Sequence, residues 1–213
     1  MAFFVVEGYR NTSNLMRYIG RLLIFGLIAA PFHFLVIALP WLNIMFTIVL
    51  GLIVLVLYDK IRIKVLFWLL YIIVIIPIAT LYFEMMFIGV TMILLFHIIR
   101  NESARRIVPP VVSMVLWVGL AFFAMWGISL EAVAPEYSET FRNAHFTADF
   151  NFMMTTIPFG IVCGLTSILL TSYNGERGKR MKWLFYAFYP AHFAVLAAIG
   201  ILVGTISLSV FGI

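Results

Sequence analysis

The stretch NIMFTIVLGLIVLVLYDKIRIK, residues 43–64, decides the fold. Sixteen residues from Asn43 to Tyr58 pass without a charge, and then Asp59, Lys60, Arg62 and Lys64 arrive within six positions. An apolar run closed by a basic cluster is the pattern of a helix that crosses a bilayer and halts at its surface. Six further runs repeat it, at about 18–38, 65–82, 85–99, 107–130, 152–171 and 183–205. The chain has 213 residues, 64% hydrophobic and 11% charged, with a mean hydropathy of +1.12. A soluble domain carries about a quarter charged residues, so an ordinary cytosolic enzyme is excluded. The expectation is an all-α, polytopic transmembrane helix bundle of about seven spans, forming a single transmembrane domain over 1–213. The runs at 43–58 and 85–99 are short for a hydrocarbon layer about 30 Å thick, and predict borrowed flanks, tilt or a thinner region. Residues 2–6 form an apolar stub too short to cross. No basic segment precedes it and no small-residue cleavage pattern follows, so no signal peptide is expected. The single Cys163 lies in an apolar run and cannot form an intramolecular disulfide.

Sidedness follows from the loops, because basic short loops stay on the cytoplasmic side. Arg10, Arg17 and Arg21 precede the first span. Lys60, Arg62 and Lys64 follow the second; Arg100, Arg105 and Arg106 follow the fourth; Arg177, Lys179, Arg180 and Lys182 follow the sixth. Thirteen of the fourteen basic residues therefore fall on alternate loops, with only Arg142 opposite. Five of the nine acidic residues, Glu84, Glu131, Glu136, Glu139 and Asp149, lie on the other face. The amino terminus is predicted inside and the carboxyl terminus outside. The basic pI is thus a topology signature; nucleic acid is not an expected partner, since no basic groove with stacking aromatics accompanies it. Membrane lipids are. The long polar stretch 131–151 on the outer side reads as a lid or partner contact, or as a solvated strap with a short surface helix.

Ionisable groups in or near hydrocarbon are costly unless paired or hydrated, so chemistry is sought there first. His192 lies about nine residues into the last run, roughly 14 Å along a helix and near mid-bilayer. Pro190 frees a carbonyl beside it. A neutral imidazole there is a candidate general base; the alternative is a histidine bonded to a neighbouring helix as packing glue. Glu7, beside Gly8, Tyr9 and Arg10 at the inner interface, is a candidate for orienting a histidine or taking a proton, or a surface acid paired with Arg10. Glu84 reads as an exposed turn, since burial requires its hairpin to end below the headgroups. His97, three residues before Arg100, reads as an interfacial histidine, with phosphate contact as the alternative. His33 is assigned to packing. The histidines lack metal-ligand spacing, and no metal site is expected. EGYRNTSN (7–14) and YNGERGKRMK (173–182) combine cations with turn formers. Each suits either an anion such as the phosphates of a cytosolic donor, or anionic lipid.

At these two segments the sequence resembles the TraX family of integral membrane proteins, named for the conjugation protein required for pilin acetylation. The resemblance rests on FFVVEGYRNTSN at 3–14, RLLIFGLIAAPF at 21–32, NIMFTIVLGL at 43–52, FIGVTMILLFHIIRN at 87–101, YNGERG at 173–178 and KWLFYAFYPAH at 182–192. It implies a multi-pass acyltransferase of the bacterial inner (cytoplasmic) membrane, with acetyl-CoA as donor substrate and an amine of a membrane-inserted peptide or pilin as acceptor. Carried onto matching positions, it singles out Glu7, Gly8, Arg10, Tyr173, Asn174, Gly175, Arg177, Gly178, Tyr189, Pro190 and His192. Family members usually begin with an additional helix bearing an Asp-His pair, whereas this sequence opens inside the following helix. A chain lacking that first helix is therefore expected.

Together these readings predict a catalytic pair, His192 and Glu7. Donor phosphates would rest on Arg10, Arg177, Lys179 and Arg180, beside Tyr173, Asn174, Gly175 and Gly178. A non-catalytic membrane subunit and a small proton-coupled transporter remain alternatives. Oligomeric state is not readable from the sequence.

Overall fold

The computed structural model describes residues 1–37, 41–131, 139–173 and 182–203, with side chains left aside at 124–125, 127–149 and 182–185. Its described residues are helical throughout, apart from short connections and one isolated parallel bridge between Leu42 and Phe83. In chain order the elements are α1 (Ala2–Asn11), α2 (Leu15–Ile37), α3 (Ile44–Lys60), α4 (Lys64–Leu70), a π turn (Tyr71–Ile75), α5 (Ile76–Tyr82), α6 (Met86–Ile98), α7 (Glu102–Glu131), α8 (Glu139–Thr171) and α9 (Lys182–Leu202). Each apolar run of the sequence falls on a helix. Four stretches are long and apolar enough to cross a membrane: Leu15–Ile37, Lys64–Tyr82, Glu102–Phe123 and Phe150–Thr171. The helices at 43–58 and 85–99 are shorter, about 26 Å for α3 and about 20 Å for α6 at 1.5 Å per residue.

Contacts divide the chain into two compact units, Met1–His97 with Gly175–Ile213, and Ile98–Asn174. In the second, α7 and α8 pack side by side. Gly160 and Gly164 lie one turn apart on α8, and a Cβ at either would meet Trp117 or Met114 of α7 at under 3 Å. Small residues at that spacing let helix backbones close up where no hydrophobic drive exists between them. Trp117 packs edge-on against Phe159 across this seam. Much of the polar stretch 131–151 is helix, because α8 begins at Glu139 and runs on without a break.

In the first unit α2 packs against both α9 and α3. The depth of α3 is set by one side chain. Asn43 caps α3 by accepting from Met45 N at 3.1 Å, and its amide donates to the Gly26 carbonyl at 2.8 Å. Gly26 stands eleven residues from each end of α2, so α3 begins beside the midpoint of a helix about 34 Å long. Glycine is needed there: a Cβ on residue 26 would lie 3.1 Å from Met45 Cβ and 3.2 Å from the Phe46 ring. Non-helical backbone at this depth needs its polar groups satisfied within the protein. Leu42 and the 82–84 turn do this mutually, Leu42 N donating to Tyr82 O at 2.8 Å and Glu84 N donating to Leu42 O at 3.0 Å. The turn closes through Met86, whose φ of 47° is left-handed, a strain of roughly 1–2 kcal/mol for a residue with a side chain. Across the rod formed by α4 and α5, Ile76 N bonds Tyr71 O five residues back. This wider turn precedes Pro77, which has no N–H to offer, and the Tyr71 hydroxyl meets Thr91 Oγ1 at 2.7 Å.

Replacing Gly26 with leucine is expected to overpack this crossing by about 1–3 kcal/mol. That corresponds to a fall in melting temperature of about 3–10 °C in detergent. Gly20→Leu is the control, because residue 20 of the same helix has nothing within 4 Å of its Cβ position. Equal melting temperatures for the two variants would remove the close crossing at residue 26.

Candidate functional site

Around the start of α3 four elements bring polar groups together. Asn43 leaves the first N–H of α3 pointing outward, and helix N-termini carry partial positive charge that favours an anion. The anion is Glu84. Its Oε2 accepts from Ile44 N at 3.0 Å and from the Tyr189 hydroxyl of α9 at 3.3 Å. His33 of α2 brings Nε2 to 3.2 Å from the same oxygen, close enough for an ion pair but off the line of a hydrogen bond. His33 is 2% exposed and Glu84 25%; the imidazole is held from behind by Phe193, ring centres 5.2 Å apart. Pro31, two residues earlier, lacks the N–H that would bond the Leu27 carbonyl. A cleft of about 180 Å³ opens beside His33, lined by Ala30, Phe34, Trp41, Leu42 and Phe46 together with His33 and Asn43. Mostly apolar walls with a few convergent polar groups are the usual make-up of a small-molecule site.

A second polar cluster closes the far end of α3, beyond Tyr58. Asp59 accepts from the Tyr9 hydroxyl at 2.8 Å and faces His97 Nε2 at 2.9 Å. Arg10 donates to the His97 carbonyl at 2.9 Å, which satisfies a terminal carbonyl of α6. The clasp ties α1, α3 and α6. Burial pushes the Asp59 carboxyl up, but the hydrogen bonds from His97 and Tyr9, with the charges of His97 and Lys64, outweigh it and hold the group below the usual carboxylate value. Burial, the bond to Asp59 and the Asp59 charge push the Tyr9 hydroxyl up to about 12.

The residues singled out from sequence are distributed differently. His192 is half-buried on α9, its Nδ1 3.1 Å from the Phe188 carbonyl of its own helix and its ring stacked on Phe188. Glu7 lies on α1, where its carbonyl accepts from the Asn11 amide. Gly8 gives room to the Tyr18 hydroxyl, which a Cβ would approach to 3.1 Å. Arg10 is engaged at α6. Tyr173 lies two residues past the end of α8, its N–H bonded to Leu170 O. Asn174, Gly175, Arg177, Gly178, Lys179 and Arg180 lie outside the described residues. Tyr189 is in the site. His33 and Glu84, read from sequence as packing and exposed turn, are its centre: the hairpin does end at mid-depth, which is the condition burial of Glu84 required. Two signals pointed that way, the shortness of the runs at 43–58 and 85–99 and the helix-capping Asn43 at the head of one of them.

A family model described as TraX protein matches residues 1–200. The chain belongs to the TraX family. With its long apolar helices, it is a membrane protein. It is also similar to a protein of Dichelobacter nodosus named "Probable fimbrial assembly protein FimC, serogroup H1", at 26% identity over 217 residues, covering 93% of this chain and 77% of that protein. No solved structure matches the chain. The TraX stretch FFVVEGYRNTSN is the segment that supplies the Tyr9–Asp59 clasp, and NIMFTIVLGL the one that begins α3 at mid-depth.

The clasp predicts a definite pH response. A lowered carboxyl contributes stability that is present above the unfolded value and lost as pH falls through the folded one. The raised Tyr9 hydroxyl contributes stability present below about 10 and lost as pH rises through about 12. Between pH 3 and pH 7, thermal unfolding of Asp59→Asn should therefore depend on pH less steeply than wild type. Parallel profiles would mean that Asp59 is not held by these bonds in solution.

Proposed function

We propose that this protein transfers an acyl group from a soluble acyl-coenzyme A, acetyl-CoA in the first instance, to an amine held at the membrane. His33 acts as general base and Glu84 orients it. The observation that carries the reading is a buried imidazole against a carboxylate fixed at a helix N-terminus, beside an apolar cleft at mid-depth. Membership of the TraX family supports it. So does the similarity to a protein named for fimbrial assembly, which makes a pilin-like peptide the acceptor to try first.

The chemistry asks for little beyond position and proton handling. The amine nitrogen attacks the thioester carbonyl; the carbon–nitrogen bond forms as the carbon–sulfur bond breaks. The proton lost by nitrogen goes to His33, and the imidazolium then gives a proton to the departing thiolate, which leaves as the free thiol. With Nε2–H turned toward Glu84, Nδ1 carries the basic lone pair. Glu84 then stabilises the imidazolium, while Ile44 N and the Tyr189 hydroxyl keep the carboxylate in place. A positioned base of this kind contributes about 10²–10⁴-fold. Apolar walls exclude water, which competes with the amine for the thioester.

Transfer of label from radiolabelled acetyl-CoA to a pilin-derived peptide amine tests the reading on purified protein. His33→Ala and Glu84→Gln should each slow transfer about 100-fold or more, with His192→Ala within a few-fold of wild type. Loss of transfer in His192→Ala with His33→Ala active would move the base to α9. Wild-type protein that neither transfers label nor binds coenzyme A would end the acyltransferase reading.

A further inference from the structure

Arg21 stands on α2, six residues after its first residue Leu15, with its guanidinium 5.6 Å from the ring centre of Tyr186 on α9. Tyr186 is itself fixed, stacked on Phe25 at 5.6 Å and 21°, and buried. Tyr18, also buried, is close enough to interact electrostatically with both Arg21 and Tyr186. A guanidinium cannot lose its proton in a protein, so its charge has to be answered. Among the described residues no carboxylate pairs with it: Arg21 is half-buried, its Nε is buried without a hydrogen-bond partner, and its guanidinium lies over the Tyr186 face. Arg17 lies one turn earlier on the same helix, and α2 contains no Asp or Glu. Two cations at this spacing repel each other. The neighbouring cation Arg10 is different, being engaged with the His97 carbonyl.

We infer that Arg21, backed by Tyr186 and Tyr18 and assisted by Arg17, is a binding subsite for a phosphate group. A guanidinium held over an aromatic ring can still turn its Nη groups to phosphate oxygens in bidentate contact, a geometry that lysine cannot reproduce. The subsite lies at the end of the unit that also holds Gly8, Tyr9 and Asp59, because a Cβ on Gly8 would touch Tyr18. The basic loops assign this end to the cytoplasm. Two sources offer the same chemistry there, a soluble phosphate ester and an anionic phospholipid headgroup. The inference is independent of the acyl-transfer reading.

Three probes separate the sources on the full-length protein in nanodiscs: coenzyme A, inorganic pyrophosphate, and phosphatidylglycerol in place of phosphatidylcholine. Arg21→Gln should weaken binding of the effective probe at least tenfold, Arg21→Lys should restore it only in part, and Arg62→Gln should leave it unchanged. A second measurement needs no variant: phenylglyoxal modification of wild-type Arg21, read by peptide mass spectrometry, should slow at least threefold when that probe is present. Protection by coenzyme A or pyrophosphate assigns a soluble ester, and protection by phosphatidylglycerol alone assigns a lipid headgroup. Binding unchanged in Arg21→Gln, or modification that no probe slows, would overturn the subsite.

Discussion

The hydrogen bond from the Asn43 amide to the Gly26 carbonyl fixes how far into the bundle α3 begins, and much of the first unit follows from that depth. A helix that starts at the midpoint of its neighbour exposes its unsatisfied N–H groups where no bulk water can reach them. An anion must meet them. Glu84 can do so only if the 82–86 hairpin reaches the same depth, which is why α6 needs just thirteen residues to run from it to Ile98. The connecting backbone then has to be satisfied without solvent, and Leu42 pairs with Tyr82 and Glu84 for that reason. One side-chain bond thus links the length of α3, the length of α6 and the position of a carboxylate.

The price of this arrangement is an ionisable pair away from water. Continuum estimates and substitution experiments agree that apolar residues of equal volume often serve stability as well as or better than a buried ion pair. Stability alone therefore gives no reason to keep His33 and Glu84. The backbone N–H and the phenol around Glu84 lower the cost of its charge. They do so on one oxygen, to which Ile44 N and the Tyr189 hydroxyl donate and from which His33 Nε2 stands 3.2 Å away. Such convergence holds an imidazole in one orientation, and orientation is what proton transfer to a bound amine requires.

The helical bundle was legible from composition and from the alternation of apolar runs with basic loops, because both report directly on solvent. The site was not, for physical reasons. Hydropathy measures how apolar a segment is and carries no record of the height at which it starts, so His192 drew notice for its distance along a single run. His33 lies farther along its own run, fifteen residues from residue 18, and owes its importance to a hairpin fifty residues later in sequence. Arg10 illustrates the same limit: beside the Glu7–Gly8 pair it suggested a phosphate contact, while in the fold its reach is spent on a terminal carbonyl of α6. Even so, two short runs and an asparagine at the head of one of them did encode the depth, as a length defect and a capping residue.

Cations at the Tyr9 end of the first unit therefore divide by what answers them. In the Tyr9–Asp59–His97 clasp the Asp59 charge is met by Tyr9 and His97, and Arg10 meets a terminal carbonyl of α6, while His97 Nδ1 stays buried without a hydrogen-bond partner. Lys64 is likewise answered, bonded to the Tyr58 and Ile61 carbonyls and lying 3.9 Å over the Tyr58 ring. Arg21 has the ring without the acceptor. In a medium of low dielectric an unanswered charge costs far more than it does at a wet surface. A cation with a buried N–H that finds no acceptor among the described residues, as at Arg21 and Arg106, is thus a better guide to ligand chemistry than the density of positive charge.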